Sequence, residues 1–208
     1  MTRFKKGEIC YLCGKKLLSS EKTDEDHVPQ KGFFMTKNPP GIIKLNTHVQ
    51  CNSDYTFDEQ YVISLVRGTS NWNITAERIW QKRGLRSLTQ PERYNLLKKI
   101  VNDTELLDGN YRTNIDKDRL LRVMDKIVRG LYFSEYNKVI ESRDLRLDTK
   151  DFLYKQNTNS WKIDNSFISI GNPGEEEFKY FKRFKNGSLE YFMFFYNVYL
   201  FRVVYKNQ

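Results

Sequence analysis

Cys10-Tyr-Leu-Cys13-Gly14, Asp26-His27-Val28-Pro29 and His48-Val-Gln-Cys51-Asn52 follow one another in the first quarter of a 208-residue chain. The whole sequence contains three cysteines and two histidines, and all five lie in this stretch. Random scattering would place them there in roughly one chain in a thousand, so the five residues are read as one object. Cys-x-x-Cys opens the stretch and His-x-x-Cys closes it. Two such knuckles offer four nitrogen and sulfur ligands, the number that tetrahedral zinc requires. Cys-x-x-Cys also occurs as a redox motif, but no βαβ pattern surrounds it here, and Gly14-Lys15 suits a knuckle turn. Cys10, Cys13, His48 and Cys51 are therefore the candidate structural zinc ligands. If His48 were only a surface or core histidine, three protein ligands would remain, one short of a structural zinc site.

Working outward, the chain has enough length for one large domain or two small ones. It is 39% hydrophobic and 29% charged, a globular balance without the roughly 18 apolar residues in a row of a membrane helix. Met1-Thr-Arg-Phe-Lys-Lys-Gly7 lacks the apolar stretch of a signal peptide, so a cytoplasmic location without membrane attachment is expected. A reducing compartment favours thiolates on metal over disulfides. The net charge of +9 points toward a polyanionic partner, nucleic acid being the commonest. Many basic proteins are merely soluble, so charge alone carries little.

Residues 8–57 read as largely irregular, with a turn-rich loop at Lys37-Asn-Pro-Pro-Gly41 and a short strand around Ile42, Ile43 and Leu45. A helix is predicted from Thr56 or Phe57, with Tyr61, Val62, Leu65 and Val66 on one face. The middle reads as helical. Thr75 suits the cap of a helix through Ile79 and Trp80. Thr89 and Glu92 form a capping-box signature ahead of Leu96, Leu97, Ile100 and Val101. The strongest helix spans about 116–133, with a stripe of Leu120, Met124, Ile127 and Leu131 widened by Leu121 and Val128. From Trp161 the chain turns rich in Phe, Tyr, Val and Ile. Gly171-Asn-Pro-Gly174 marks a turn. Asn186-Gly187 is a hairpin signal between strands Phe178–Phe184 and Leu189–Tyr196, with Val198–Tyr205 as a further strand. Gly68-Thr-Ser-Asn71 interrupts the pattern and suggests a boundary near residue 70, giving units of 1–70 and 71–208, with packing as one domain the other arrangement open to them.

The residues between the knuckles carry chemistry of their own. In extended backbone the side chains of Asp26 and His27 point to opposite faces. One can hold a metal while the other addresses a water. His27 has a reference pKa near 6.5, suited to a general base at neutral pH. Asn52 offers a neutral oxygen which, with one carboxylate, suits a sparsely held Mg²⁺ completed by water and phosphate. An Asp-His pair is also often no more than a hydrogen-bonded surface pair.

The order CYLCG, DHVP, HVQCN resembles the zinc-containing HNH endonucleases with a ββα-metal fold, over about residues 8–65. The resemblance implies an N-terminal zinc-stabilised ββα-metal unit. Followed by the helices and the C-terminal antiparallel β-sheet read above, it makes an α+β chain. The resemblance implies that Asp26 is the first ligand of a catalytic Mg²⁺ or Mn²⁺, that His27 is the general base and that Asn52 is the second metal ligand. Cys10, Cys13 and Cys51 match zinc ligands, and His48 stands where the family usually has cysteine. The family's middle asparagine has no assigned counterpart here; Asn46 and Asn38 are the candidates. The basic residue that often follows Cys-Asn is replaced by Ser53-Asp54-Tyr55. Asp58 and Glu59 read first as favourable charge at a helix N-terminus, and a supporting role for Asp58 at the metal is the lesser option.

The function expected on this basis is metal-dependent hydrolysis of nucleic-acid phosphodiesters, DNA ahead of RNA. The alternative from another class is a non-catalytic zinc-stabilised module that binds nucleic acid or protein and has a degenerate site. Lys98, Lys99, Arg119, Arg122, Lys126 and Arg129 would place basic charge on helix faces, either solvated or facing phosphates. The C-terminal aromatic residues are expected to form core; stacking on bases or docking a protein partner is the other use open to them.

Overall fold

The computed structural model describes residues 8–35, 39–68, 78, 94–108, 110–141, 145–147, 169–171, 177–197 and 199–206. The expected α+β class holds. Within the largely irregular segment expected at 8–57, two strands form an antiparallel hairpin: the second is the short strand expected around Ile43 and Leu45, and the first falls where irregular structure was expected. β1 (Thr23–Val28) pairs with β2 (Ile43–His48) in the register Thr23↔His48 to Val28↔Ile43. The sequence Thr-Asp-Glu-Asp-His-Val has little intrinsic strand preference. Its strand follows from pairing and from two inward side chains, Asp26 and Val28, opposite Leu45 and Ile43 of β2. β2 runs directly into α1 (Val49–Ser53), and α2 (Thr56–Gly68) follows, starting where the periodicity placed it.

The predicted central helix is α4 (Lys117–Tyr136). The Asp116 side chain accepts from the Arg119 amide at its start, and Asn137 closes it in the left-handed conformation at φ 51°. Leu120, Met124, Ile127, Val128 and Leu131 are buried as the stripe requires; Leu121 is half-buried, and Val123 is buried in addition. Lys126 and Arg129 depart from the expected basic surface. Both are buried and ion-paired, because α4 lies between α2 on one side and β1–β2 and the C-terminal sheet on the other.

The middle of the chain is not wholly helical. α3 (Tyr94–Asn102) leads into a hairpin of β3 (Thr104–Leu107) and β4 (Asn110–Thr113). Asp108-Gly109 is a primed-turn signal, and Asp108 has φ 51°. Leu96 and Ile100 of α3 pack against the core, whereas Val101 is exposed. The helix expected from Thr75 through Ile79 and Trp80, the Thr89–Glu92 capping box, Asn38, the side chain of Leu97 and the boundary at 69–71 lie outside the described residues.

The C-terminal sheet has five antiparallel strands in the order β5-β9-β8-β7-β6: Leu145–Leu147, Tyr199–Lys206, Ser188–Phe195, Phe178–Lys185 and Ser169–Gly171. Asn186 and Gly187, at φ 51° and 71°, make the two-residue turn that the Asn-Gly signal predicted. Phe178, Tyr191, Phe195, Tyr196 and Phe201 are buried, so these tail aromatics are core rather than a stacking surface. One apolar core runs from Cys10 to Val203. Phe195 joins its halves: its ring lies 4.7 Å from Phe33 and 4.9 Å from Phe178. The Tyr196 hydroxyl donates to the Phe33 carbonyl at 2.6 Å. The segment between β1 and β2 is thereby packed against the C-terminal sheet.

Candidate metal centre and Asp-His site

The two knuckles meet. Glycine at position 14 takes φ 72°, and its amide donates to the Cys10 carbonyl at 2.8 Å while the Cys10 amide donates to Lys15 at 3.0 Å. That turn aims Cys10 and Cys13 at the junction of β2 and α1, where His48 ends the strand and Cys51 sits on the helix. The ligand atoms of Cys10, Cys13, His48 and Cys51 all lie within 4.8 Å of one another. His48 Nδ1 is 3.3 Å from Cys13 Sγ and 3.9 Å from Cys51 Sγ. A tetrahedral zinc site has N–S edges of about 3.6 Å. These four residues could hold a metal ion such as zinc. Burial and the sulfurs of Cys10 and Cys13 push the Cys51 thiol up to about 12. Deprotonating thiols crowded in this way is costly unless a cation stands among them.

Glu21 completes the outer layer of the cluster. Its carboxylate lies 3.2 Å from His48 Nε2 and accepts from the Leu18 amide at 3.1 Å. It fixes the tautomer that leaves Nδ1 free for a metal, the usual carboxylate–histidine–metal arrangement. Nothing in the sequence marks Glu21 for this role, because it reaches His48 only through the β1–β2 pairing.

Asp26 points inward from β1. Its Oδ2 accepts from the Tyr11 hydroxyl at 2.5 Å, and its Oδ1 from the His27 amide at 2.8 Å. Burial, followed by the Asp26 charge, pushes the Tyr11 phenol upward, so it stays a donor. Asn52 extends from α1 toward the same place, its amide nitrogen donating to Asp24 Oδ2 at 3.0 Å. Between Asp26 and Asn52 stands the ammonium of Lys126. Nζ is 3.0 Å from Asp26 Oδ2, 2.8 Å from Asn52 Oδ1 and 2.6 Å from Glu59 Oε1. Lys126, Asp26 and Glu59 are 2%, 3% and 4% exposed. Burial, partly opposed by Lys126, pushes the Glu59 carboxyl up to about 7. Glu59 thus joins Asp26 and Asn52 around one cation, where the sequence offered only helix-end charge. Asp58 goes elsewhere, to Arg119 at 3.5 Å and Arg122 at 3.2 Å.

His27 shares a face with Glu25, Lys44 and Asn46, opposite to the face of Asp26, by the pairings His27↔Lys44 and Glu25↔Asn46. Its Nε2 has no hydrogen-bond partner among the described residues, and Glu25 Oε1 lies 3.5 Å away. Burial and the nearby Lys31 charge lower its pKa. A neutral imidazole can accept a proton at pH 7, although this Nε2 is buried from solvent beside Glu25. Asn46, exposed on β2, is two residues from the position paired with His27. Lys99, Arg119 and Arg122 are paired with Asp103, Asp116 and Asp58, so much of the expected basic helix face already has carboxylate partners. No helix among the described residues is long and apolar enough to cross a membrane.

No protein-family model matches the chain, and no curated protein or solved structure matches it.

Proposed function

We propose that the chain is a metal-dependent HNH-type endonuclease that hydrolyses phosphodiester bonds of nucleic acid, DNA ahead of RNA, on a ββα unit pinned by zinc at Cys10, Cys13, His48 and Cys51. The observation that carries this reading is the convergence of Asp26 and Asn52 oxygens on one cation position, 3.0 and 2.8 Å from it. His27 lies next in sequence, lowered in pKa with its Nε2 unpartnered among the described residues.

In this reading Asp26 and Asn52 hold Mg²⁺ or Mn²⁺. The ion, when bound, polarises the phosphoryl group and stabilises the leaving oxygen. Tyr11 and the His27 amide fix the Asp26 carboxylate, and Asp24 fixes the Asn52 amide, so the donors are set before an ion arrives. His27 takes the proton from the water that adds to phosphorus, and one P–O bond breaks. The zinc cluster is a closed four-ligand set without an open position for water, so its part is structural.

One observation favours the second reading, a non-catalytic binding module: Lys126 already neutralises the acidic pocket. Plasmid nicking with Mg²⁺ or Mn²⁺ separates the two. Wild type should cut, and His27→Ala should lose a hundred- to ten-thousand-fold while keeping its zinc and its fold. Equal cutting by His27→Ala would remove the histidine from the chemistry. A wild type that cuts neither DNA nor RNA with either ion would leave the binding-module reading in place.

A further inference from the structure

We infer that Lys31 and Lys44 form a phosphate subsite beside His27, which grips the backbone of a nucleic-acid strand on the face of the β1–β2 hairpin turned away from Asp26. The inference deepens the proposed function and rests on its nucleic-acid substrate. It concerns binding alone and needs no metal ion at Asp26 or Asn52.

Three observations carry it. The first is position. Lys44 is the cross-strand partner of His27, so the two side chains leave the hairpin on the same face. Glu25, two residues before His27, stands on that face too. Its Oε1 lies 3.0 Å from Lys44 Nζ and 3.5 Å from His27 Nε2. The second is Lys31. It is half-buried, and among the described residues it makes no ion pair. Its charge nevertheless acts on the His27 ring more strongly than Glu25 does from 3.5 Å, and it acts on Glu25 as well. Both lysines therefore flank one small space at the imidazole. The third is the histidine itself. The His27 side chain is 10% exposed, and its buried Nε2 has no hydrogen-bond partner among the described residues. Folded proteins rarely leave a buried polar atom in that condition. A phosphate oxygen, or the water carried with it, supplies the partner.

The charges suit this ligand. Two lysines against one glutamate leave the face at +1 beside a neutral imidazole, the sign that a phosphodiester requires. Lys44 and Glu25 are both about half exposed, so their pair is worth little and a phosphate can take the ammonium over. Lys31 has no ion pair to give up. Neither lysine reads a base, so the subsite fixes the strand against His27 and carries no sequence preference of its own.

The test is binding of a short DNA duplex to the full-length, zinc-loaded protein with no other divalent ion added, followed by fluorescence anisotropy. Each phosphate contact accounts for about a 3.5-fold loss of affinity between 50 and 200 mM salt. Over that range Lys31→Gln and Lys44→Gln should each lose about 3.5-fold less affinity than wild type, and the double variant about 12-fold less. At the lower salt each single variant should already bind more weakly. Glu25→Gln, which releases Lys44 from its carboxylate, should bind more tightly. Lys185→Gln, at the exposed Asn186-Gly187 turn of the C-terminal sheet, should match wild type. The inference is overturned if Lys31→Gln and Lys44→Gln keep the wild-type affinity and salt dependence, or if Lys185→Gln loses as much as they do. A wild type that binds no DNA overturns it together with the nucleic-acid partner. Failure of the nuclease reading alone would appear as the expected losses of binding in a protein that cuts with neither Mg²⁺ nor Mn²⁺, and the subsite would stand.

Discussion

Gly130→Ala sets two effects of opposite sign against each other at the contact that seats the Asp-His strand. Gly130 lies inside α4, where alanine is worth about 1 kcal/mol more than glycine. Packing opposes that gain. A Cβ at position 130 would stand 2.6 and 2.9 Å from the two Cγ atoms of Val28 and 3.3 Å from its Cβ. Val28 is 2% exposed, β-branched and stiff about χ1, so it cannot rotate away. β1 must move instead, and Val28 is the residue after His27. Overpacking of this kind costs about 1–3 kcal/mol, and with backbone movement the upper half of that range applies. The expected net effect is a loss of about 1–2 kcal/mol, read by urea unfolding of zinc-loaded protein. Val28→Ala removes the clashing atoms, at its own cost of about 1–3 kcal/mol. In that background Gly130→Ala should turn neutral or stabilising, a coupling of about 2 kcal/mol in the double-mutant cycle. Gly32→Ala is the control. Its new Cβ would meet the Ile63 Cδ1 at 2.5 Å, but that terminal methyl can swing aside, so the cost should stay below about 1 kcal/mol. If Gly130→Ala stabilises wild type by the full helix-propensity amount, the close approach of α4 to β1 is wrong.

Zinc should be present at one atom per chain by elemental analysis, and Cys51→Ser should unfold the knuckle segment, because ligation supplies its folding free energy; folded protein free of zinc would contradict this. Glu190 lies 2.6 Å from Arg183 and 2.7 Å from Arg202. Burial alone would raise its carboxyl, but the two arginine hydrogen bonds outweigh it and hold the pKa below the usual carboxylate range. A pKa lowered on folding adds stability above the unfolded value near 4.5, and that stability is lost as pH falls through the folded value. Glu190→Gln should therefore cost about 2 kcal/mol at pH 7, discounted because both arginines remain partly in water; its unfolding curve should approach that of wild type as pH falls below the unfolded value and through the lower folded one, and a gap independent of pH would contradict the ion pairing. Affinity for nucleic acid should fall about 40-fold between 50 and 200 mM salt if three phosphates are contacted; binding insensitive to salt would count against the nucleic-acid partner expected from the +9 charge.

The sequence by itself determined the elements whose signals are local. The Cys10–Cys13 and His48–Cys51 knuckles, α2 from Thr56, the Leu120–Leu131 stripe of α4 and the Asn186-Gly187 hairpin could each be read because a ligand pair, a period of 3.6 or a turn dipeptide marks them within a few residues. Asp108-Gly109 is a local signal of the same kind, a turn dipeptide between the paired β3 and β4.

Tertiary structure decided the rest. β1 is a strand because β2 pairs with it, since its own polar residues favour nothing of the kind. Glu21 reaches His48 across 27 residues, and Lys126 reaches Asp26 and Glu59 across the fold. From sequence Lys126 belongs to a basic helix face, and Glu59 to the charge at a helix start. Only the packing of α4 against both α2 and β1 takes these charges out of water together. A charge pattern reports which residues are polar, whereas the cost of burying a charge, and hence the partner it must find, exists only once the chain has closed around it.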